Sequence, residues 1–273
     1  MNKFFFAFCL FLFAFFFLMA GNENVPAGAR SAGVSGASVC YSDLWSAFHN
    51  QAGLAAVKKI SGGIYFENRF SISELGVKGF AFALPAGESG TFALSGTYFG
   101  YSLYNEKKIG IGFGKDIGSK LKAGVQLDYL STFIAEGYGT RTTFTGEAGI
   151  LAEPVKNLLL GFHIYNPTQT KIADYADERV PVIMRFGVAY KFSEKVTVSI
   201  ENEKQVDAEG IFKTGIDYHI AEPLYLRGGI ATNPALSSFG FGLKFGQFNF
   251  DAAASFHEVL GFTPQVSLHY EVK

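Results

Sequence analysis

The chain has 273 residues, enough for one large domain or two small ones. Charged residues make up 17% of it and the net charge is −1, whereas soluble domains usually carry roughly 25% charged residues. A near-neutral chain without a basic stripe excludes nucleic-acid binding driven by bulk charge, and 32 glycines beside 30 phenylalanines are a composition for strands more than for helices.

Nine of those phenylalanines lie between Phe4 and Phe17. Residues 1–21 read as a secretory signal peptide: Lys3 is a minimal positive start, Phe4 to Ala20 an uncharged apolar run, and Ala20 and Gly21 are small residues at a plausible cleavage point. The alternative is a retained anchor, since the run reaches the lower limit of about 17 residues for a helical span. The small residues and the absence of a basic cluster after them favour cleavage. Cys9 would leave with the segment. The remaining Cys40 has no disulfide partner and reads as a small buried residue.

Residues 22–57 form a short N-terminal segment rich in small residues, with one short helix expected where Ser42 or Asp43 caps Leu44, Trp45, Ala47 and Phe48. About 35 residues make too little core for a separate domain, but enough to enter and plug a barrel.

From residue 58 to 273 the dominant pattern is alternation with a period of two. In Gln265–Val272, Val266, Leu268, Tyr270 and Val272 share one face, and Gln265, Ser267, His269 and Glu271 the other. Fourteen strands are predicted, at 60–69, 76–85, 90–101, 107–115, 119–132, 140–152, 157–166, 181–192, 195–204, 209–220, 223–231, 236–245, 247–257 and 263–272. Their lengths match the roughly 9–11 residues of a tilted transmembrane strand, and an even number suits a bacterial barrel. Connections after even-numbered strands are short. Those after odd-numbered strands are often longer, as in SLYNEKK, TFIAEGYG and PTQTKIADYADERV, although some are also tight, so the asymmetry is moderate. A soluble sandwich alternates too, but here one face is large and apolar in almost every strand and no polar edge strand remains, so the expected fold is a closed, transmembrane, all-β antiparallel barrel. Lys78, on the apolar face with Phe80 and Phe82, has to lie near an interface or snorkel.

The same parity sends Lys122, Gln126, Asp128, Glu147, His163, Arg185, Lys191, Glu201, Lys213, Asp217, His219, Arg227, Lys244, Asp251, His257, His269 and Glu271 inward. Both signs occur in similar number, so the plain reading is a network of ion pairs that fills the lumen; a polar pore is the functional alternative. Gly110, Gly112 and Gly114 mimic a phosphate loop but fall on strand alternation. Histidines 163, 219, 257 and 269 are on four different strands, which argues against a metal site. No Gly-x-Ser-x-Gly or His-Glu-x-x-His occurs, so neither catalytic residues nor a cofactor are expected.

Gly28–Ala37 followed by Asp43–Ala55, with Trp45, Phe48, Asn50, Ala52 and Gly53 as the plug motif, resembles the N-terminal hatch of the FadL-type outer-membrane barrel superfamily, and most of all its PorV/PorQ-like branch. That family's pattern is Asn-Pro-Ala-Gly-Leu; this chain has Gln51 at the proline position. Ser238–Leu243 and Leu260–Leu268 are similar to the same branch. The resemblance implies fourteen strands and a plug. It further implies either transport of hydrophobic small molecules across the outer membrane or a non-transporting role in an assembly such as type IX protein secretion. The partners implied are outer-membrane lipid, a hydrophobic ligand or secretion-system proteins.

Overall fold

The computed structural model describes residues 24, 26–172, 179–206 and 208–273; the expected signal segment, residues 1–21, lies outside them. Among the described residues fourteen antiparallel strands close into one barrel. They are β1 (Ser61–Asn68), β2 (Gly76–Pro85), β3 (Thr91–Gly100), β4 (Tyr104–Asp116), β5 (Leu121–Ile134), β6 (Gly139–Val155), β7 (Leu158–Tyr165), β8 (Ile183–Lys191), β9 (Val196–Gln205), β10 (Ile211–Ala221), β11 (Leu224–Ala231), β12 (Leu236–Phe245), β13 (Phe248–His257) and β14 (Gly261–Glu271). Each strand pairs with its sequence neighbours, and β1 closes on β14 with Ser61 opposite Glu271 and Glu67 opposite Gln265. Closure leaves no edge strand, as a sheet in hydrocarbon requires.

The exterior is apolar along the strands. Ile64, Ile111, Leu127, Phe186 and Phe239 all point outward and are more than half exposed, a surface that lipid covers in a transmembrane barrel. No described helix is long and apolar enough to cross a membrane; the strands do the crossing. Lys78 is opposite Tyr98 toward one end of β2, with its ammonium 6.0 Å from the Tyr98 ring, an arrangement that suits an interfacial lysine.

Both ends of the sheet, the start of β1 and the finish of β14, lie at one rim, here termed proximal. The expected asymmetry of connections is narrower than the sequence indicated. SLYNEKK is mostly β4, which begins at Tyr104, and TFIAEGYG is divided between β5 and β6. The β4–β5–β6 hairpins keep pairing through their polar residues, Glu106 with Thr132 and Thr132 with Arg141, because alternation does not stop where charge begins. The longest distal connection spans 166–182, of which 173–178 lie outside the described residues. Pro167 and Pro181 are both inside it, and the β7–β8 ladder beside it runs unbroken from Leu158–Tyr190 to Tyr165–Ile183. Neither proline opens the wall.

Residues 24 and 26–57 occupy the lumen. A short helix is present as α2 (Ser46–His49), but its N-cap is Trp45 and neither Ser42 nor Asp43 caps it; the Asp43 carboxylate instead closes the preceding turn by accepting from Trp45 N at 2.9 Å, and Ser46 Oγ accepts from Asp43 N at 3.1 Å. Two further turns accompany it, α1 (Ala29–Gly33) and a 3-10 run at Gln51–Ala56. The apolar side of this plug, including Leu44, Trp45, Phe48 and Leu54, packs on Tyr65, Val77, Ala81, Ala83 and Ala93 of β1–β3, forming the main core. Val39, Cys40 and Ala52 pack separately on Leu151 and Ala189.

Candidate functional site: a plug seated in a charged lumen

The plug motif residues are all buried. Trp45 packs on Phe48 and Tyr65, each at 6.2 Å between centroids. Asn50 organises the turn: its Oδ1 accepts from Ala52 N at 3.2 Å, while its amide donates to Val39 O at 2.8 Å and to Ile150 O of the wall at 3.2 Å. Ala52 is fully buried. Gly53 lies so close to Ser46 and Tyr41 O that no β-carbon fits.

The seat is cut to the plug backbone by glycines. A β-carbon at Gly114, Gly124, Gly149, Gly161, Gly215 or Gly229, on β4, β5, β6, β7, β10 and β11, would overlap plug atoms of Gln51, Asn50, Val39 or Val34. These inward glycines make room for the inserted chain instead of lining an open channel.

Three charged groups then hold the plug. The first centres on Glu147 of β6, which is fully buried. Its carboxylate accepts from Gln51 Nε2 at 2.7 Å, contacts His163 Nε2 at 2.8 Å, and takes an ion pair from Lys108 and longer bonds from Gln126 and Asn24. Asp128 completes it, 3.6 Å from Lys108. Gln51, where the resemblance would put proline, is thus the shorter of two plug contacts to this carboxylate, beside Asn24. The second centres on Glu201 of β9, which accepts from Ser38 N at 2.9 Å and Val39 N at 2.8 Å and pairs with Lys213 at 3.3 Å. Glu203 joins Lys213 to Arg185 at 2.8 and 2.6 Å, and Arg185 also donates to Asn24 O. In the third, Arg30 of α1 bridges Asp43 and Asp217, each at 3.0 Å, and Asp217 continues through Arg227 at 3.3 Å to Asp251 at 2.6 Å. Burial pushes the Asp43 carboxyl up, but Arg30, His49 and His269 together outweigh it and hold it below the ordinary range.

The remaining inward residues are placed apart from these groups. Lys122 pairs with Asp116 at the proximal rim at 2.5 Å. His269 contacts Asn249 at 2.8 Å and lies 3.6 Å from Glu271. His219 stacks on Tyr225 at 4.3 Å. His257 sits at the opposite, distal end, accepting from Val259 N and Leu260 N in the β13–β14 turn. Lys244, at the end of β12, is exposed. Sequence reasoning missed Lys108, Glu203, Arg30 and Gln51. The signal for two of them was present: Lys108 has the parity of Gly110 and Gly112, and Glu203 that of Glu201.

Above the plug a distal vestibule of about 420 Å³ opens, with Pro26, Ala32, Phe70, Pro234 and Leu236 supplying apolar lining between Ser255, Thr263 and Gln265. Its charged members are already paired, Arg69 with Glu67 at 2.8 Å and Lys213 with its two glutamates. Two proximal recesses of about 270 Å³ each lie on the other side of the plug.

No protein-family model and no curated protein matches this chain. Among solved structures it is similar to the CymD monoaromatic hydrocarbon channel (TM-score 0.71, 13% identity, 93% of this chain and 99% of that one) and to the toluene transporter TodX of Pseudomonas putida (0.69, 13%, 92% and 99%). It is likewise similar to a FadL homologue of Pseudomonas aeruginosa (0.66, 13%, 90% and 98%). At that identity the likeness is one of fold: the chain shares the overall fold of these solved structures.

Proposed function

We propose that this protein is a plugged outer-membrane channel for uncharged, hydrophobic small molecules, with its proximal rim in the periplasm. The observation that carries the reading is the distal vestibule, whose apolar lining abuts α1 of the plug and whose charges are internally neutralised, so that it offers an uncharged compound a place to rest. The fold shared with hydrocarbon channels supports it, as does the lipid-facing exterior. The hatch motif, despite Gln51, supports kinship with the PorV/PorQ-like branch.

Proteoliposome uptake of a labelled aromatic hydrocarbon tests the reading. Uptake above protein-free vesicles, altered by Asn50→Ala, is expected; equal uptake with and without protein refutes it.

A second reading is favoured by the lumen itself. Three buried charged groups and a glycine-cut seat suit a barrel that stays closed and serves as a component of an outer-membrane assembly, such as type IX secretion. Silence in a planar bilayer together with co-purification of defined partners from native membranes would favour it; recovery of the protein alone would count against it.

A further inference from the structure

The proximal face carries a feature that neither reading uses. One of its two recesses is lined by Arg30, Lys156, Asn157, Lys191, Ser193, Glu194, Lys195, Thr197, Asp217, His219 and Tyr225, four cations against two carboxylates. Arg30 and Asp217 already satisfy one another. The other three cations do not: among the described residues no carboxylate lies within ion-pair distance of Lys156, Lys191 or Lys195. They come from two neighbouring turns tied into one rigid rim, Lys191 N donating to Asn157 O at 2.9 Å and His219 N to Lys195 O at 2.8 Å. His219 adds an independent sign. Its ring is fixed on Tyr225 at 4.3 Å and 10°, yet its Nε2 is buried without a hydrogen-bond partner, a state that costs free energy unless something supplies the bond.

The geometry points to an oxyanion-binding subsite at the proximal mouth, in which Lys156, Lys191 and Lys195 hold a phosphate or carboxylate group and His219 Nε2–H donates the remaining hydrogen bond. Concave cationic walls concentrate anions, and ammonium-to-oxyanion bonds are the strong class. At about 270 Å³ the recess suits an anionic group on a short stem, below the roughly 300 Å³ at which most ligand pockets begin. Glu194 offsets one of the three lysines and leaves the recess net cationic. The subsite stands independently of hydrophobic uptake, because it lies across the plug from the distal vestibule.

Titration calorimetry of the full-length protein in lipid-free detergent, with inorganic phosphate at ionic strength held constant by sodium chloride, tests it. One saturable site is expected. Lys156→Gln/Lys191→Gln/Lys195→Gln should weaken it about tenfold or more, while Lys59→Gln/Lys115→Gln/Lys244→Gln, exposed lysines at the same rim, should leave it unchanged. No saturable heat, or equal loss in both triple variants, overturns the subsite. Should the first variant fail to fold, acetylation of the wild-type chain replaces it: phosphate must slow modification of Lys191 and Lys195 several-fold relative to Lys59, and equal slowing overturns the proposal. Repeating the titration in phosphatidylglycerol nanodiscs separates the sources. Loss of phosphate binding there assigns the subsite to a lipid headgroup; retention assigns it to a soluble anion.

Discussion

Gly149→Ala is the sharpest test of how the plug is held. The added methyl would overlap Asn50 Oδ1 and come to 3.0 Å from Asn50 Cγ. Asn50 has nowhere to go, because its amide is fixed by Val39 O and Ile150 O and its Oδ1 caps the 3-10 run through Ala52 N. Displacing it forfeits a cap of about 1 kcal/mol and two buried hydrogen bonds of about 1 kcal/mol each, so seating should weaken by roughly 3 kcal/mol. Trp45 reports this directly, being the single tryptophan of the chain and buried against Phe48 and Tyr65. Its emission should shift red. Cys40, whose thiol burial pushes up to about 12, should turn from inert to maleimide-reactive. The β-sheet circular dichroism should persist. Gly146→Ala on the same strand is the control, since a methyl there meets only Gln126 O at 3.7 Å. Unchanged Trp45 emission and Cys40 reactivity in Gly149→Ala would refute the glycine-cut seat.

Other consequences follow from the same contacts. Glu147→Gln leaves Asp128, at 3.6 Å, as the one carboxylate paired with Lys108 among the described residues and should cost on the order of 3 kcal/mol, read as a lower melting temperature in detergent than for the exposed control Glu88→Gln; equal melting would refute the central role of Glu147. His49 in α2 is buried with both ring nitrogens lacking a hydrogen-bond partner among the described residues, and burial holds its pKa down at about 4. A solvated histidine titrates near 6.5, so acid protonates the unseated plug before the seated one. Seating should therefore weaken as pH falls from about 6.5 toward 4, by up to about 3 kcal/mol, and His49→Phe should abolish that part of the Trp45 emission change; coincident curves for the two proteins would contradict it. Ile111→Arg, mid-strand and 64% exposed, should cost about 2–4 kcal/mol in a bilayer, against about 1 or less for Ile117→Arg at the rim. Equal cost would argue against lipid on this face.

All fourteen strands were legible because each carries its own signal, one apolar and one polar face. Their ends were less so. Tyr104–Glu106 reads as loop since Asn105 and Glu106 are polar, yet those two residues pair with Phe133 and Thr132 of β5. The plug was partly legible. The turn around α2 announced itself by Asp43 and an apolar side, whereas Ala29–Gly33 is made of small residues and owes its helix to docking rather than to periodicity. Parity also assigned Glu147, Glu201 and Asp217 to the inward face, but it gives no sign of their plug partners Gln51, Ser38, Val39 and Arg30. Parity assigns a face; it says nothing of a second chain segment entering the lumen, and so the purpose of Gly124 or Gly149 emerges only when the plug is in place.

The three charged groups do not hold the plug equally along its length, and for a transport role that inequality decides where opening is cheapest. Around residue 51 the contact is a side-chain amide on a fully buried carboxylate, within a backbone seat cut by Gly114, Gly124 and Gly149. Around residues 38 and 39 it is a pair of backbone amides on Glu201. Toward β12–β14, beneath the distal vestibule, the contacts are neutral: Ala29 N on Ser267 Oγ at 3.1 Å and Ser35 Oγ on Ser238 Oγ at 3.0 Å. Bonds to charged groups are worth about 1.5–3 kcal/mol against about 1 for neutral ones. The α1 side facing β12–β14 therefore yields before the Gln51 side does, and it is the side that already lines the vestibule through Ser31, Ala32 and Ser35. Arg30 is the one charged restraint on α1, and its anchor, Asp217, lies at the edge of a proximal recess. The weakest stretch of the seat thus joins the distal vestibule to the proximal mouth, and a path opened there would leave the Glu147 and Glu201 contacts intact.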